Sequence, residues 1–341
     1  MKKRGMVSPV FKYIMALITG TMFLLFFINF GLQYMKTQES FDAYRLTSGF
    51  DDILSALGSS IDSETSYSFP LTRIILEPDK DGKNRYILSA GKSTKSIPSY
   101  KIVFAPKDLT GKSLSILTKR WYMPYGIDNF FYLTNERYKY FLVYNDETKN
   151  LVYDIAGPDD EVTPEISKKF GIETVDENTL LTNIPKIEKF QTPTFVLFQE
   201  NVNLEQKLNS ISNAKVRIIN LNEKDNFGEI LFEDGQKIPF IGKPMLIGAI
   251  FAENSKTYDY STSMALNKLG VITKIYQEKL RMIAQKPQFF TCNQYTLIKK
   301  SFDTLISLTR SYEKDPNEYI NLVEVLEETN QVLGGDCPEI F

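Results

Sequence analysis

Residues 13–35 read YIMALITGTMFLLFFINFGLQYM, a stretch without a single charged side chain. Ile14, Leu17, Ile18, Phe23, Leu24, Leu25, Phe26, Phe27, Ile28, Phe30 and Leu32 are spread around every face of the helix this stretch would form. At about 1.5 Å per residue such a helix is roughly 34 Å long, enough for a hydrocarbon core of roughly 30 Å. Each Leu, Ile or Phe favours insertion by about 0.3–0.6 kcal/mol, and Thr19, Thr21 and Asn29 oppose it only weakly. Ser8-Pro9 offers an N-cap and a first-turn proline, and Lys12 can reach the headgroups. Lys2, Lys3, Arg4 and Lys12 precede the span, against Lys36 and Arg45 after it. That bias predicts a single-pass protein of the cell membrane, N-terminus cytoplasmic and the rest outside. A cleavable secretory signal would have a shorter apolar run and a small-residue cleavage site. A buried core helix is the other reading, and an all-round apolar run this long near a chain terminus argues against it.

Outward from the span, 341 residues suggest two domains, or one large one with an appendage. Apolar content of 43% and charged content of 24% permit a sizeable core. A net charge of −2 implies no strongly basic face, so nucleic acid is not an expected partner. The chain contains no histidine. That removes the commonest general base, the commonest metal ligand and the usual Ser–His or Cys–His pair. The cysteines are two, Cys292 and Cys337, too few to close a structural zinc site without imidazole.

Residues 37–57 read as a helix leaving the membrane, with Phe41, Tyr44, Leu46, Phe50, Ile53, Leu54 and Leu57 in one stripe, ended by Gly58-Ser59-Ser60. Strands at 73–77 and 85–89 flank Pro78-Asp79-Lys80-Asp81-Gly82, a hairpin signal, and 101–105 is a further strand. Residues 122–144 are dense in aromatics, material for a β-type core or a partly exposed face. From Asn150 the pattern alternates: strand 151–155, helix 164–170, strand 172–175, strand 194–198, helix 204–211, strand 215–220. Parallel pairing is open to such units. Asp234-Gly235 joins strands at 228–233 and 236–241, and 245–252 reads as a fully apolar, central strand. The tail carries three helical stripes, the last opened by Asp315-Pro316 and stopped by Gly334-Gly335.

The expected architecture is therefore an α+β, or mixed α/β, ectodomain behind one N-terminal transmembrane helix, with a C-terminal helical subdomain. Its parts are a basic flank (1–12), the span (13–35), a juxtamembrane helix (37–60), the mixed ectodomain (61–256) and a three-helix segment (260–341).

Candidate chemistry is sparse. Gly91-Lys92-Ser93 and Gly111-Lys112-Ser113 match the end of a phosphate-binding loop, but the glycine needed five residues before each is Tyr86 or Pro106. Asp79-Lys80-Asp81-Gly82 resembles part of a calcium loop, whose twelfth position would be Ala90 in place of glutamate. Gly157-Pro158-Asp159-Asp160-Glu161 reads as a solvated acidic turn before Thr163-Pro164. Without histidine an enzyme would need paired carboxylates, a Ser–Lys dyad or a tyrosine base, and nothing in the sequence picks such a pair. No catalytic, metal-binding or cofactor-binding residue is assigned, and no cofactor is expected. No Asn-x-Ser/Thr sequon occurs.

Lys3-Arg4-Gly5 before an uncharged run resembles the class III signal of archaeal pilin-type proteins, which a prepilin peptidase cuts after glycine. The resemblance places candidate processing between Gly5 and Met6. The glutamate many pilins carry near the mature start is replaced by Val10-Phe11. Residues 53–60 (ILSALGSS), 101–106 (KIVFAP), Gly111-Lys112-Ser113-Leu114 and Cys337-Pro338 are together similar to uncharacterised single-pass membrane-anchored proteins of small archaeal lineages. Such proteins carry more cysteines near the first tail helix, where this chain reads Tyr260-Ser261-Thr262-Ser263. The resemblance implies no functional residue.

Together these readings predict a non-enzymatic, membrane-anchored structural or interaction protein of an envelope or pilus-like assembly, with protein partners at the cell surface. The alternative is a membrane-tethered hydrolase or ligand-binding protein built on carboxylates. An ectodomain outside the cell allows Cys292 and Cys337 to oxidise. Their bridge would stabilise the fold by roughly 4 kcal/mol through loop closure, less any strain. The expected outcome is a mobility shift between reducing and non-reducing gels; alkylation of both thiols without reductant would exclude the bridge.

Overall fold

The computed structural model describes residues 9–341 except 61, 80–84, 92, 99, 157–169, 188–190, 222–226, 312–314 and 334–336, and without the side chains of 9–12, 32–43 and 316. Gly5 and Met6, the acidic loop from Gly157, and all but the last residue of the helix expected over 164–170 lie outside the described residues.

The apolar stretch and the helix expected after it are one element. Helix α1 (Pro9–Gly58) runs unbroken for 50 residues. Nothing between them can break it: Lys36-Thr37-Gln38-Glu39-Ser40 is polar but contains neither proline nor glycine. Its 19-residue stretch Tyr13–Gly31 is 0% buried, with a mean hydropathy of 2.0. Its last turns enter the head, where Thr47, Phe50 and Leu54 are buried.

The head begins with two sheets. One is four-stranded, in the order β1 (Glu64–Thr72), β6 (Gly111–Tyr122), β7 (Gly126–Thr134), β5 (Ile102–Phe104). The other is the three-stranded meander β2 (Ile74–Pro78), β3 (Tyr86–Ala90), β4 (Ser93–Ile97), and it contains the expected first hairpin. Phe50 and Leu54 of α1 share one core with Leu76, Leu88, Ile116 and Leu133 of these sheets.

A six-stranded sheet follows: β13 (Lys237–Ile241), β12 (Phe227–Leu231), β11 (Lys215–Leu221), β10 (Thr192–Leu197), β8 (Tyr138–Tyr144), β9 (Ile172–Asp176). The β9–β8–β10–β11 part is parallel, and β12–β13 is the expected second hairpin. Helix α2 (Lys149–Ala156) buries Leu151, Val152 and Ile155 in the core on one face. Helices α3 (Glu177–Thr182) and α4 (Val202–Asn209) bury Leu180, Leu204 and Leu208 against Phe141, Phe195 and Ile218 on the other. The sheet is thus doubly wound, reversing direction between β8 and β10.

Two strand expectations are corrected. Residues 151–155 belong to helix α2, because Asn145 Oδ1 accepts from Glu147 N, Thr148 N and Thr148 Oγ1 and so closes a turn that starts a helix. Of residues 245–252, all but Ala252, the C-cap, lie in helix α5 (Lys243–Phe251), entered through Gly242 at φ +81° and Pro244 in its first turn. Every residue from Met245 to Phe251 is buried, and an element covered on all sides carries no period to read. Gly248 is required there: a Cβ would come within 2.7 Å of the Phe104 ring.

The tail is helical as expected: α6 (Ser255–Ala284), α7 (Gln294–Ser311) and α8 (Pro316–Val332). Asn254 and Thr257 form a capping box for α6, and Asp315 caps α8. Tyr258, Leu266 and Leu269 of α6 lie in the same core as Phe104, Tyr132 and Tyr140, so the tail packs into the head.

Arg217 in β11 fixes α5 in this arrangement. It is 1% exposed, and its guanidinium donates to the carbonyls of Ala249, Ile250 (3.1 Å), Ala252 (2.7 Å) and Glu253 (3.3 Å). These are the carbonyls a helix end leaves without intrahelical partners, or residues just beyond it. Its Nε lies 3.5 Å from Glu233, and the group sits 5.2 Å over the Phe232 ring. Arg217→Ala is expected to cost on the order of 3 kcal/mol or more, since buried acceptors lose charged donors. Arg217→Lys should recover only part, because an ammonium cannot span the same fork of carbonyls. Urea unfolding midpoints of the detergent-solubilised chain check both.

Candidate functional site

The residues with most bearing on function gather where α1 meets the head. Lys101, 3% exposed just before β5, points at the last turns of α1. Its Nζ donates to Asp51 Oδ1 (2.5 Å), Asp51 O (2.8 Å) and Ser55 Oγ (2.7 Å). Thr47 Oγ1 shares a hydrogen bond of 2.7 Å with Ser93 Oγ, Lys95 Nζ donates to Ser48 O (3.2 Å), and Asn129 Nδ2 donates to Gly58 O (2.6 Å). Helix α1 is therefore clamped along its side and at its end.

Lys101 and Ser55 make a lysine–serine contact of the dyad type. A Ser–Lys dyad needs a neutral amine that accepts the serine proton. Here the nitrogen spends all three ammonium protons as a donor, one of them on a carboxylate. The arrangement holds a helix and does not activate a nucleophile.

The Gly111-Lys112-Ser113 segment, which opens strand β6, does bind an anion, and the anion is the protein's own. Lys112 N donates to Glu136 Oε1 at 2.7 Å and Ser113 Oγ to Glu136 Oε2 at 2.5 Å. A Cβ at Gly111 would stand 2.7 Å from Glu136 Oε1 and would push the carboxylate aside. Burial pushes the Glu136 carboxyl up, but the donors from Ser113, Lys112 and the local backbone outweigh it and hold the group below its ordinary value.

No group of three or more acidic or cysteine side chains suited to a metal ion occurs among the described residues. Two glutamates share a cleft: Glu324 and Glu327 of α8 line a space of about 410 Å³ with Arg120 and Lys243. Burial raises the Glu327 carboxyl, and Glu324 adds to the effect. Burial likewise raises Asp128 against the opposing pull of Lys268. At the switch point between β8 and β10 the polar side chains are consumed in caps and in two bridges, Asn145 to Gln199 and Asn201 to Glu177.

Cys292 and Cys337 lie at disulfide distance, with Cα atoms 5.9 Å apart at a sequence separation of 45. The C-terminus is also held without them. Tyr295 Oη donates to Pro338 O (3.0 Å), Asn330 Nδ2 to Phe341 O (2.7 Å), and Ile340 N to Asn330 Oδ1 (2.7 Å). Phe341 packs its ring against Tyr125, Tyr276 and Phe302.

Sequence reading missed the Lys101 clamp and the Glu136 cradle. Lys101 stands 50 residues from Asp51, and only the folded sheets bring them together. No protein-family model matches this chain, and neither a curated protein nor a solved structure matches it.

Lys101→Met keeps the aliphatic stem and removes three donated bonds. Stability is expected to fall by about 1–3 kcal/mol, with Asp51 partly exposed and able to recruit water. Hydrogen exchange of the α1 amides from Tyr44 to Gly58 should quicken, while that of β10 and β11 should not.

Proposed function

We propose that the chain is a membrane-anchored, extracytoplasmic structural or interaction protein of the cell envelope, acting by contact and suited to a pilus-like assembly. One observation carries this reading. A continuous helix leaves its apolar stretch Tyr13–Gly31 entirely uncovered by the rest of the chain, then ends clamped inside a folded head. Side chains such as Leu24 (61% exposed) and Phe27 (64%) need a lipid or protein environment to leave water. Lipid satisfies that need for one copy, and neighbouring helices satisfy it in an assembly. The head adds support through exposed apolar side chains on α6 (Val271, Ile275 and Met282) and through Phe290 beyond its end. The Ser–Lys and carboxylate arrangements described above do not assemble a nucleophile, a base and an oxyanion site.

The expected result is retention of the full chain in membranes through an alkaline carbonate wash, with the head cleaved by protease added outside intact cells. Leu24→Arg with Phe27→Arg should release the protein, because two arginines at the centre of a span oppose insertion by about 6 kcal/mol. A freely soluble wild-type chain, or a head sheltered from external protease, would overturn the reading.

A further inference from the structure

A helix apolar on every side offers hydrophobicity no face to choose, and in α1 Asn29 makes the choice. Residue 24 is midway between Lys12 and Lys36, the charges that bound the uncharged run, and Asn29 lies about 7.5 Å further along. In a bilayer that is well inside a hydrocarbon half-thickness of about 15 Å. The two threonines of the stretch are served by their own helix: Thr19 Oγ1 donates to Met15 O and Thr21 Oγ1 to Leu17 O, each at 2.8 Å. The exposed Asn29 amide makes no hydrogen bond among the described residues. It carries two N–H donors and a carbonyl acceptor, and hydrocarbon offers it neither a donor nor an acceptor in return.

The residues on its side of the helix form a regular stripe. Met15, Ile18, Met22, Leu25 and Asn29 follow one another at alternating spacings of three and four, the a and d positions of a heptad, and all five are exposed. None of them is aromatic. Phe23, Phe27 and Phe30 fall at the outer b and f positions of the same repeat. Phe26, on the flank, turns its ring toward Phe27 and Phe30, with centroids 5.7 and 6.3 Å away. The rings therefore gather away from the stripe that holds Asn29. Ala16 and Gly20, the small residues of the stretch, sit at b and f with the rings and bring no unmet polar group.

A second copy of the chain is the occupant this stripe fits. Copies inserted alike run parallel, so a and d positions of one meet a and d positions of the other, and Asn29 meets Asn29. The amide is its own complement, because each side chain donates to the carbonyl oxygen of the other. A single asparagine at an a position fixes register and the number of helices, and interhelical amide bonds hold helices together in membranes. We propose that two copies pair through α1 as parallel helices crossing at a shallow left-handed angle, Asn29 bonded to Asn29 at one end of a seam of Met15, Ile18, Met22 and Leu25. The pairing deepens the proposed function and rests on it, since lipid is what cuts the Asn29 amide off from water.

Sedimentation equilibrium of the full chain in density-matched detergent is expected to show a monomer–dimer equilibrium. Asn29→Leu removes the amide without impeding insertion and should weaken dimerisation about fivefold or more. Asn29→Gln should restore most of it, and Gly20→Leu should leave it unchanged. In native membranes, oxidation should cross-link Ile18→Cys, Met22→Cys and Leu25→Cys into dimers, and should not cross-link Leu24→Cys or Phe27→Cys. A wild-type chain that stays in membranes yet sediments as a monomer overturns the pairing and leaves the anchor standing; a freely soluble chain overturns both. Dimers that survive Asn29→Leu, that are lost with Gly20→Leu, or that cross-link from the outer positions instead also overturn the pairing.

Discussion

A single guanidinium, that of Arg217, holds the head's central helix in place. Helix α5 is short, apolar on every side and buried between sheets, so its C-terminal carbonyls cannot reach water. A polar end inside a core is costly unless donors are supplied. Arg217 supplies them from β11, and Lys215 on the same strand continues the bracing by donating to Glu253 O and Oε1, each at 2.7 Å. Burial pulls the Lys215 ammonium downward, and Glu253 is what keeps it supplied with negative charge. The turn from α5 into α6 is thereby pinned to the six-stranded sheet, and everything α6 organises in the tail inherits that position.

The same turn reaches toward the first half of the head. Glu253 Oε2 accepts from Lys107 N at 2.9 Å, and Tyr138 Oη donates to Asp108 O at 2.7 Å. Around these polar ties lies a continuous aromatic core in which Phe104 meets Phe130, Tyr132 and Tyr258. The apolar core gives the head its bulk stability, and the polar ties decide which layer stands where. That division explains why α1 needs its own clamp: it enters through the smaller core of the two first sheets, and Lys101 anchors it there.

What the sequence made legible follows from local rules. Asp315-Pro316 and Asp234-Gly235 say nearly all that is needed about a helix start and a hairpin turn, and Gly235 does adopt a positive φ of 78°. The amphipathic tail helices show their period because one side faces water. Where no side faces water, the period vanishes, which is why residues 245–252 looked like a strand. The stretch 151–155 misled for another reason: β-branched residues favour strands, but the Asn145 turn decided the matter from outside the window. The order of the parallel strands, the Lys101–Asp51 pair and the Glu136 cradle all depend on contacts distant in sequence, and no local pattern encodes them. The continuity of α1 was readable in principle, since no breaker separates its halves.

That continuity has a mechanical consequence. From Gly31 to Tyr44 the helix crosses about 20 Å without a hinge, and below Tyr44 it is seized by the head. A rod held at one end and stiff throughout gives the head no swivel of its own. Stood in a bilayer, any lean of the rod would become the same lean of the head: a tilt of about 20° would carry the joint sideways by roughly 7 Å and turn the whole outer surface with it. Bilayer thickness and the packing of neighbouring rods would then set the direction in which the head presents its faces.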